Sequence, residues 1–188
     1  LKQALDGKLK EVVDYYHYPM AQESGKMLNI GVPKNIRQSF QSNMRLLKSK
    51  LNGISVGIFS AETGARQWMQ ADKHESYLIW KIGKKKMDEL LLIQNGSLVT
   101  YFSFNRSGKK GKMMWQFGDG DAANLIIQDI LKVQSEKSTK FSSAKQVFIY
   151  TSAGNIKDIK FFHQSNLENL TLLNPLMVLE STKDEKVH

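Results

Sequence analysis

Asn95-Gly96 separates two apolar runs, Asp88 to Gln94 and Ser97 to Phe104. A two-residue type I′ turn needs positive φ at both central positions, and Asn-Gly supplies it at little cost. The two runs are therefore expected to pair as an antiparallel hairpin. Upstream, Ser76 to Ile82 is another strongly apolar run, and Lys84-Lys85-Lys86 turns it into the strand that starts at Asp88. The result is a three-strand meander. Beyond it, Ser107 to Lys112 reads as a basic loop, with Met113 to Phe117 as a further pairing segment. Asp119 or Asp121 can cap a helix running to about Ser135, with Leu125, Ile126, Ile130 and Val133 turned inward. Gln146 to Tyr150 is a buried-type strand, Asn155 to Asn166 a helix, and Leu170 to Leu173 a closing strand.

The first part of the chain follows a different order. Val12 to Tyr18 is β-branched and aromatic and reads as a strand, and Ala21 to Lys26 as a turn. Met27 to Val32 then completes a hairpin. Pro33 suits the first turn of a helix, where its missing N–H costs nothing. That helix is expected to reach about Lys50, with Ile36, Phe40, Met44 and Leu47 on one face and Asn52-Gly53 as its stop. Ile54 to Phe59 alternates with period two and reads as a strand, followed by a helix from Ala61 to about Ala71. The expected division is 1–75, then 76–180, then a charged tail at 181–188.

Hydrophobic residues make up 41% of the 188 positions, enough to bury a core, and the formal net charge is +9. Cysteine is absent, which removes disulfide frameworks, thiol nucleophiles and thiolate zinc sites. No apolar run approaches the length of a membrane-spanning helix, and charges break up the first residues too often for a signal peptide. His17, His74, His163 and His188 are scattered, so no metal site is expected from them. Serine-hydrolase, zinc-protease and phosphate-loop signatures are all missing. The Gly118-Asp119-Gly120-Asp121 spacing fits a turn and an N-cap better than a catalytic carboxylate pair.

The positive charge is clustered. In a meander, the Lys84-Lys85-Lys86 turn and the loop carrying Lys109, Lys110 and Lys112 fall at the same rim. Solvated lysines are the usual occupants of such a rim. The functional alternative is docking to phosphates, an anionic lipid surface or an acidic partner. Nucleic acid is disfavoured, because no aromatic residues alternate with the lysines and no helix has an arginine-rich face.

Several short motifs resemble one family. Tyr150-Thr151-Ser152-Ala153-Gly154-Asn155, then a helix, then Leu172-Leu173-Asn174-Pro175-Leu176 resembles the close of the actin-like fold in pilus and secretion assembly proteins. There a strand enters a "GG" turn, and the strand after the next helix ends in "NP". Trp80-Lys81-Ile82-Gly83 through Met87-Asp88 to Asn95-Gly96 is similar to the family's "DIG" phosphate hairpin. Phe117-Gly118-Asp119-Gly120 is similar to its "GG" helix entry, and Asn29 to Lys34 with the elements after it to the rest of a first lobe.

The resemblance covers most of residues 12–180 and points to the type IV pilus and type II secretion L-protein kind. It implies an α/β fold of actin-like (ribonuclease H-like) type, mixed sheets flanked by helices, with an incomplete first lobe. If nucleotide binds, the residues implied are Lys81, Gly83, Asp88, Gly118, Asp119, Ser152 and Gly154.

The departures point away from hydrolysis. Lys81 stands where the family has the acidic residue that helps hold magnesium, and a cation cannot ligate that ion. Met87 replaces a hydroxyl residue, and Ala153 replaces a glycine of the adenosine turn. The expected role is a non-catalytic cytoplasmic scaffold at the inner membrane, binding a segment of an inner-membrane assembly protein. No catalytic residue, metal or obligatory cofactor is expected. A weak ATP-binding protein or ATPase and a basic nucleic-acid-binding domain are the alternatives.

Overall fold

A computed structural model of the chain describes residues 12–19, 27–48, 57–107, 111–135, 140–151 and 168–173. Strands β1 (Val12–Pro19) and β2 (Met27–Pro33) pair antiparallel as a separate two-stranded ribbon. Helices α1 (Lys34–Leu46) and α2 (Ile58–Trp68) follow. Next come β3 (Ser76–Ile82), a 3₁₀ turn at Lys84–Lys86, β4 (Met87–Gln94), β5 (Ser97–Asn105) and β6 (Lys112–Gly118). Helix α3 (Gly120–Gln134), β7 (Gln146–Thr151) and β8 (Leu170–Leu172) complete the described elements. The chain is thus a mixed α/β protein with three α-helices among the described residues.

The main sheet has six strands in the order β6-β5-β4-β3-β7-β8. Strands β3 to β6 meander antiparallel, whereas β7 runs parallel to β3 and β8 parallel to β7. Asn95 (φ 50°) and Gly96 (φ 72°) form the tight β4–β5 turn, closed by the pairing of Gln94 with Ser97.

Both faces of this sheet are covered, and for that reason its central strands read as continuous apolar runs. On one face Leu78, Trp80, Leu90, Phe102 and Val147 pack against Ala123, Ile126, Ile130 and Val133 of α3. On the other, Tyr77, Ile79, Leu91 and Phe148 pack against Ile58, Phe59 and Ala65 of α2, with Leu28 and Ile30 of β2 alongside. Each fully buried large side chain contributes roughly 1.5–3 kcal/mol. Helix α2 precedes residue 76 yet shares this core, so the packing runs across that expected boundary.

Polar latches complete the layers. Asp129 of α3 accepts from the amides of Ser142 and Ser143, both at 2.8 Å, and from the Ser142 hydroxyl at 2.9 Å. Asn169 donates to the carbonyls of Phe141 (3.1 Å) and Ala144 (2.8 Å), tying the segment before β7 to β8.

Three expectations need correction. Ile58 and Phe59, read as the end of a strand, open α2 instead, and both are buried on the sheet. Packing of that helical face outweighs their local β preference. Leu125, expected inward, is 56% exposed on the outer side of α3. Helix α1 stops at Leu46, short of Lys50, and buries none of its residues. The expected helix at 155–166 and the first half of the strand expected at 54–59 lie outside the described residues.

Candidate functional site

The corner where β3 turns into β4 gathers Lys81, Gly83 and Asp88. Gly83 is there because nothing larger fits: a β-carbon on it would stand 1.5 Å from the Met87 carbonyl oxygen. The lysine turn beside it holds Lys85 and Lys86 in the left-handed region, with φ of 54° and 61°. Such non-glycine conformations cost about 1–2 kcal/mol each. The Arg106 amide, donating to the Lys86 carbonyl at 2.9 Å, helps fix them.

Asp88 is wholly buried. Its Oδ2 accepts from the Trp80 indole Nε1 at 2.8 Å and from Arg106 Nε, and its Oδ1 accepts from the Gly83 amide at 3.1 Å. The Ser103 hydroxyl donates to the Asp88 carbonyl at 2.8 Å. Burial pushes the Asp88 carboxyl above its ordinary value of 3.8, while Arg106, the indole and the Gly83 amide pull it back. This buried ion pair is the largest feature that sequence reasoning missed. Arg106 follows a strand end and reads as an ordinary surface cation; only the β4–β5 register carries it back over Asp88.

Lys81 lies on the opposite face of the sheet from Asp88. Its Nζ is 2.6 Å from Glu89 Oε1 on the neighbouring strand, with both side chains about a quarter exposed. The Tyr101 hydroxyl lies 3.5 Å from the other Glu89 oxygen. The strand pairing aligns Tyr150, Lys81, Glu89, Ser103 and Trp115 across β7, β3, β4, β5 and β6. Burial first, and the Glu89 charge second, push both the Tyr101 and Tyr150 hydroxyls well above 10.0. Tyr150 Oη is buried without a hydrogen-bond partner among the described residues.

The remaining nucleotide candidates are elsewhere. Gly118 (φ 80°) ends β6 and Asp119 caps α3, accepting from the amides of Asp121 (2.8 Å) and Ala122 (3.1 Å). Thr100 pairs with Gly118, and the Asp119 amide donates to Val99 at 2.9 Å, so both sit at the Asn95-Gly96 end of the sheet. Gly83 and Asp88 are at the far end. Asp119 borders a hollow of about 510 Å³, lined also by Asn95, Ser97, Leu125 and Ser143. Ser152 and Gly154 lie outside the described residues, although Thr151 just before them donates to the Ile82 carbonyl at 3.0 Å, beside Gly83.

The β3–β4 corner does not fit a magnesium-bound nucleotide. Its buried carboxylate is already held by Arg106, and on the opposite face the Glu89 carboxylate is paired with Lys81. At the α3 terminus the capping carboxylate occupies amides that a phosphate would need. No cluster of three or more metal-ligating side chains occurs among the described residues.

Of the rim lysines, the 84–86 turn adjoins Met87, which pairs with Asn105, which in turn pairs with Lys112. Lys85, Lys86 and Lys112 are exposed at that shared end, and Lys109 and Lys110 lie outside the described residues. No helix among the described residues is long and apolar enough to cross a membrane.

Beside this end runs β6, which borders the sheet among the described residues. Trp115 and Phe117 project from the same face and remain 40% and 53% exposed. Trp115 packs edge-on against Tyr101, with ring centroids 4.6 Å apart, and lies 5.9 Å from the Phe117 ring. Met114, where the pairing with β5 shifts, is also exposed.

No known family and no curated protein matches this chain. Among solved structures, it is similar to a Bacteroides thetaiotaomicron protein with actin-like ATPase fold and unknown function, at 7% identity and a TM-score of 0.34. The match covers 96% of this chain and 64% of that protein's length.

Proposed function

We infer that the chain is a non-catalytic scaffold of actin-like architecture that holds an extended segment of a partner protein along the outer edge of β6. The observation that carries this reading is the edge itself. A bordering strand usually carries charges, proline or a cover that prevents further pairing. Here Lys112 at the start is the one charged residue of β6, the pairing with β5 shifts at Met114, and Met114, Trp115 and Phe117 are all exposed. Backbone groups along such an edge supply affinity and the alternating side chains supply selectivity, as in other strand-addition sites. The meander followed by two strands parallel to its first strand fits one lobe of the actin-like fold.

The absence of hydrolysis in this reading rests on the β3–β4 corner, where Asp88 and Arg106 neutralise each other inside the core. The wider setting is a pilus or secretion assembly on the cytoplasmic side of the inner membrane, with a segment of an inner-membrane protein as partner. That setting rests on the sequence motifs. The rim lysines 84–86, 109, 110 and 112 would face anionic lipid or an acidic stretch of that partner.

Selection from a random library of displayed linear peptides tests the reading. Enriched peptides should bind the wild-type chain and lose binding to Phe117→Ser and to Met114→Pro, each checked for unchanged melting. Failure to enrich any peptide, or equal binding to the folded variants, would overturn it.

A further inference from the structure

Helix α1 has its polar and apolar sides arranged in an unusual way. Its half-buried residues are Arg37, Gln41 and Met44, and the helix leans on the β1–β2 ribbon. Ile36, Phe40 and Leu47 fall within about 40° of one another around the axis. They lie about a quarter-turn around the axis from that support, with Phe40 50% and Leu47 71% exposed, and Leu46 is more exposed still. Folding has therefore left the larger apolar side chains of α1 in water.

Along the segment that carries this stripe the charge has one sign. No acidic residue occurs between Glu23 and Glu62, whereas Lys34, Arg45 and Lys48 stand exposed on or just beyond α1. A helix is about 10–12 Å across, close to the Debye length at physiological salt, so cations on its upper side still feel a charged surface beneath it. Phe and Leu on one side with Lys and Arg on the other is the pattern of helices that lie in a membrane interface. A second copy of α1 would bring like charges together, which disfavours self-association through this face.

We propose that α1 lies on an anionic lipid surface, with Ile36, Phe40 and Leu47 entering the headgroup–acyl boundary and Lys34, Arg45 and Lys48 supplying electrostatic attraction. The proposal deepens the membrane-associated part of the reading above but rests on α1 alone. It stands or falls independently of the β6 edge.

The test is flotation of the 188-residue chain with phosphatidylcholine vesicles, with and without phosphatidylglycerol. The chain should float only with the anionic vesicles, and less so as salt is raised. Phe40→Ser should weaken binding on the order of tenfold. Replacing Lys34, Arg45 or Lys48 by Gln should weaken it roughly fivefold for each cation removed. All four positions are exposed, so melting should not change, and Phe117→Ser should float like wild type. No flotation with anionic vesicles at low salt would overturn the proposal. So would undiminished flotation of the α1 variants, which would assign lipid contact to the lysine rim. A dimer that Phe40→Ser dissociates, without lipid binding, would instead assign the stripe to a second copy. Binding of an acidic polypeptide without vesicle binding would assign it to a protein.

Discussion

Arg106 reaches back over β4 and donates through Nε to Oδ2 of Asp88, placing a paired guanidinium and carboxylate inside the core. Such a pair need not add net stability, but removing one partner strands the other. Arg106→Met should therefore destabilise the chain by about 3–5 kcal/mol at neutral pH. The pH dependence has a definite sign. The folded-state pKa of Asp88 is raised above 3.8, so between 3.8 and that raised value the folded chain holds a proton the unfolded chain has lost. Stability from this group therefore falls as pH rises through that window. Loss of Arg106 extends the window upward. Denaturant unfolding of wild type and Arg106→Met at about pH 4 and about pH 7.5 should show the larger difference at the higher pH. Equal differences at both would contradict the assignment.

Gly83 is required by space rather than by backbone angle. Gly83→Ala would push a methyl into the Met87 carbonyl, forcing the β3–β4 corner to open. A loss of at least about 1–3 kcal/mol is expected. Opening the corner would also disturb the Gly83 amide's bond to Asp88. Thermal melting would read the effect, and an unchanged melting temperature would refute this close approach.

The hairpin and the meander were legible because local chemistry agreed with tertiary structure: Asn95-Gly96 matches its turn, and the apolar runs match a sheet buried on both faces. Asp119 was also readable as a cap, since its carboxylate needs only neighbouring amides. What could not be read depended on distant segments. Ile58 and Phe59 carry strand-like residues and become helical only because that helical face completes the sheet's second layer. The apolar face of α1 had a clear period, but periodicity does not say whether a face finds a cover. Arg106, Asp129 and Asn169 are ordinary polar residues in the sequence; register and loop packing give each its partner. Among the site candidates, Gly83 and Asp88 fell close together because one hairpin carries both, while Gly118 and Asp119 lie at the sheet's other end.

Tyr101 and Tyr150 should ionise late. Burial, reinforced by the Glu89 charge, holds both hydroxyls well above 10.0. The unfolded chain releases those protons at about pH 10, so stability should fall as pH rises beyond that point. Ultraviolet titration should show a late tyrosinate fraction that Glu89→Gln moves to lower pH. A tyrosinate titration unchanged in Glu89→Gln would mean that the Glu89 charge plays no part.

Asp119→Ala removes the N-cap acceptor of α3 and should cost about 1 kcal/mol. Asp119→Asn, which keeps an acceptor, should recover most of the loss. Urea unfolding of the two variants separates capping from charge: equal losses would assign the effect to the charge at the helix terminus.

The central claim is that β6, rather than a nucleotide cleft, is the working surface. Amide hydrogen exchange reads it most directly, because strand addition must protect backbone that the free chain leaves open. With a peptide selected on the wild-type chain, slowed exchange should appear across Lys112–Gly118, and saturating magnesium–ATP should leave the Ile82–Asp88 corner unchanged. Protection of that corner by magnesium–ATP, with β6 unaffected by peptide, would contradict the account.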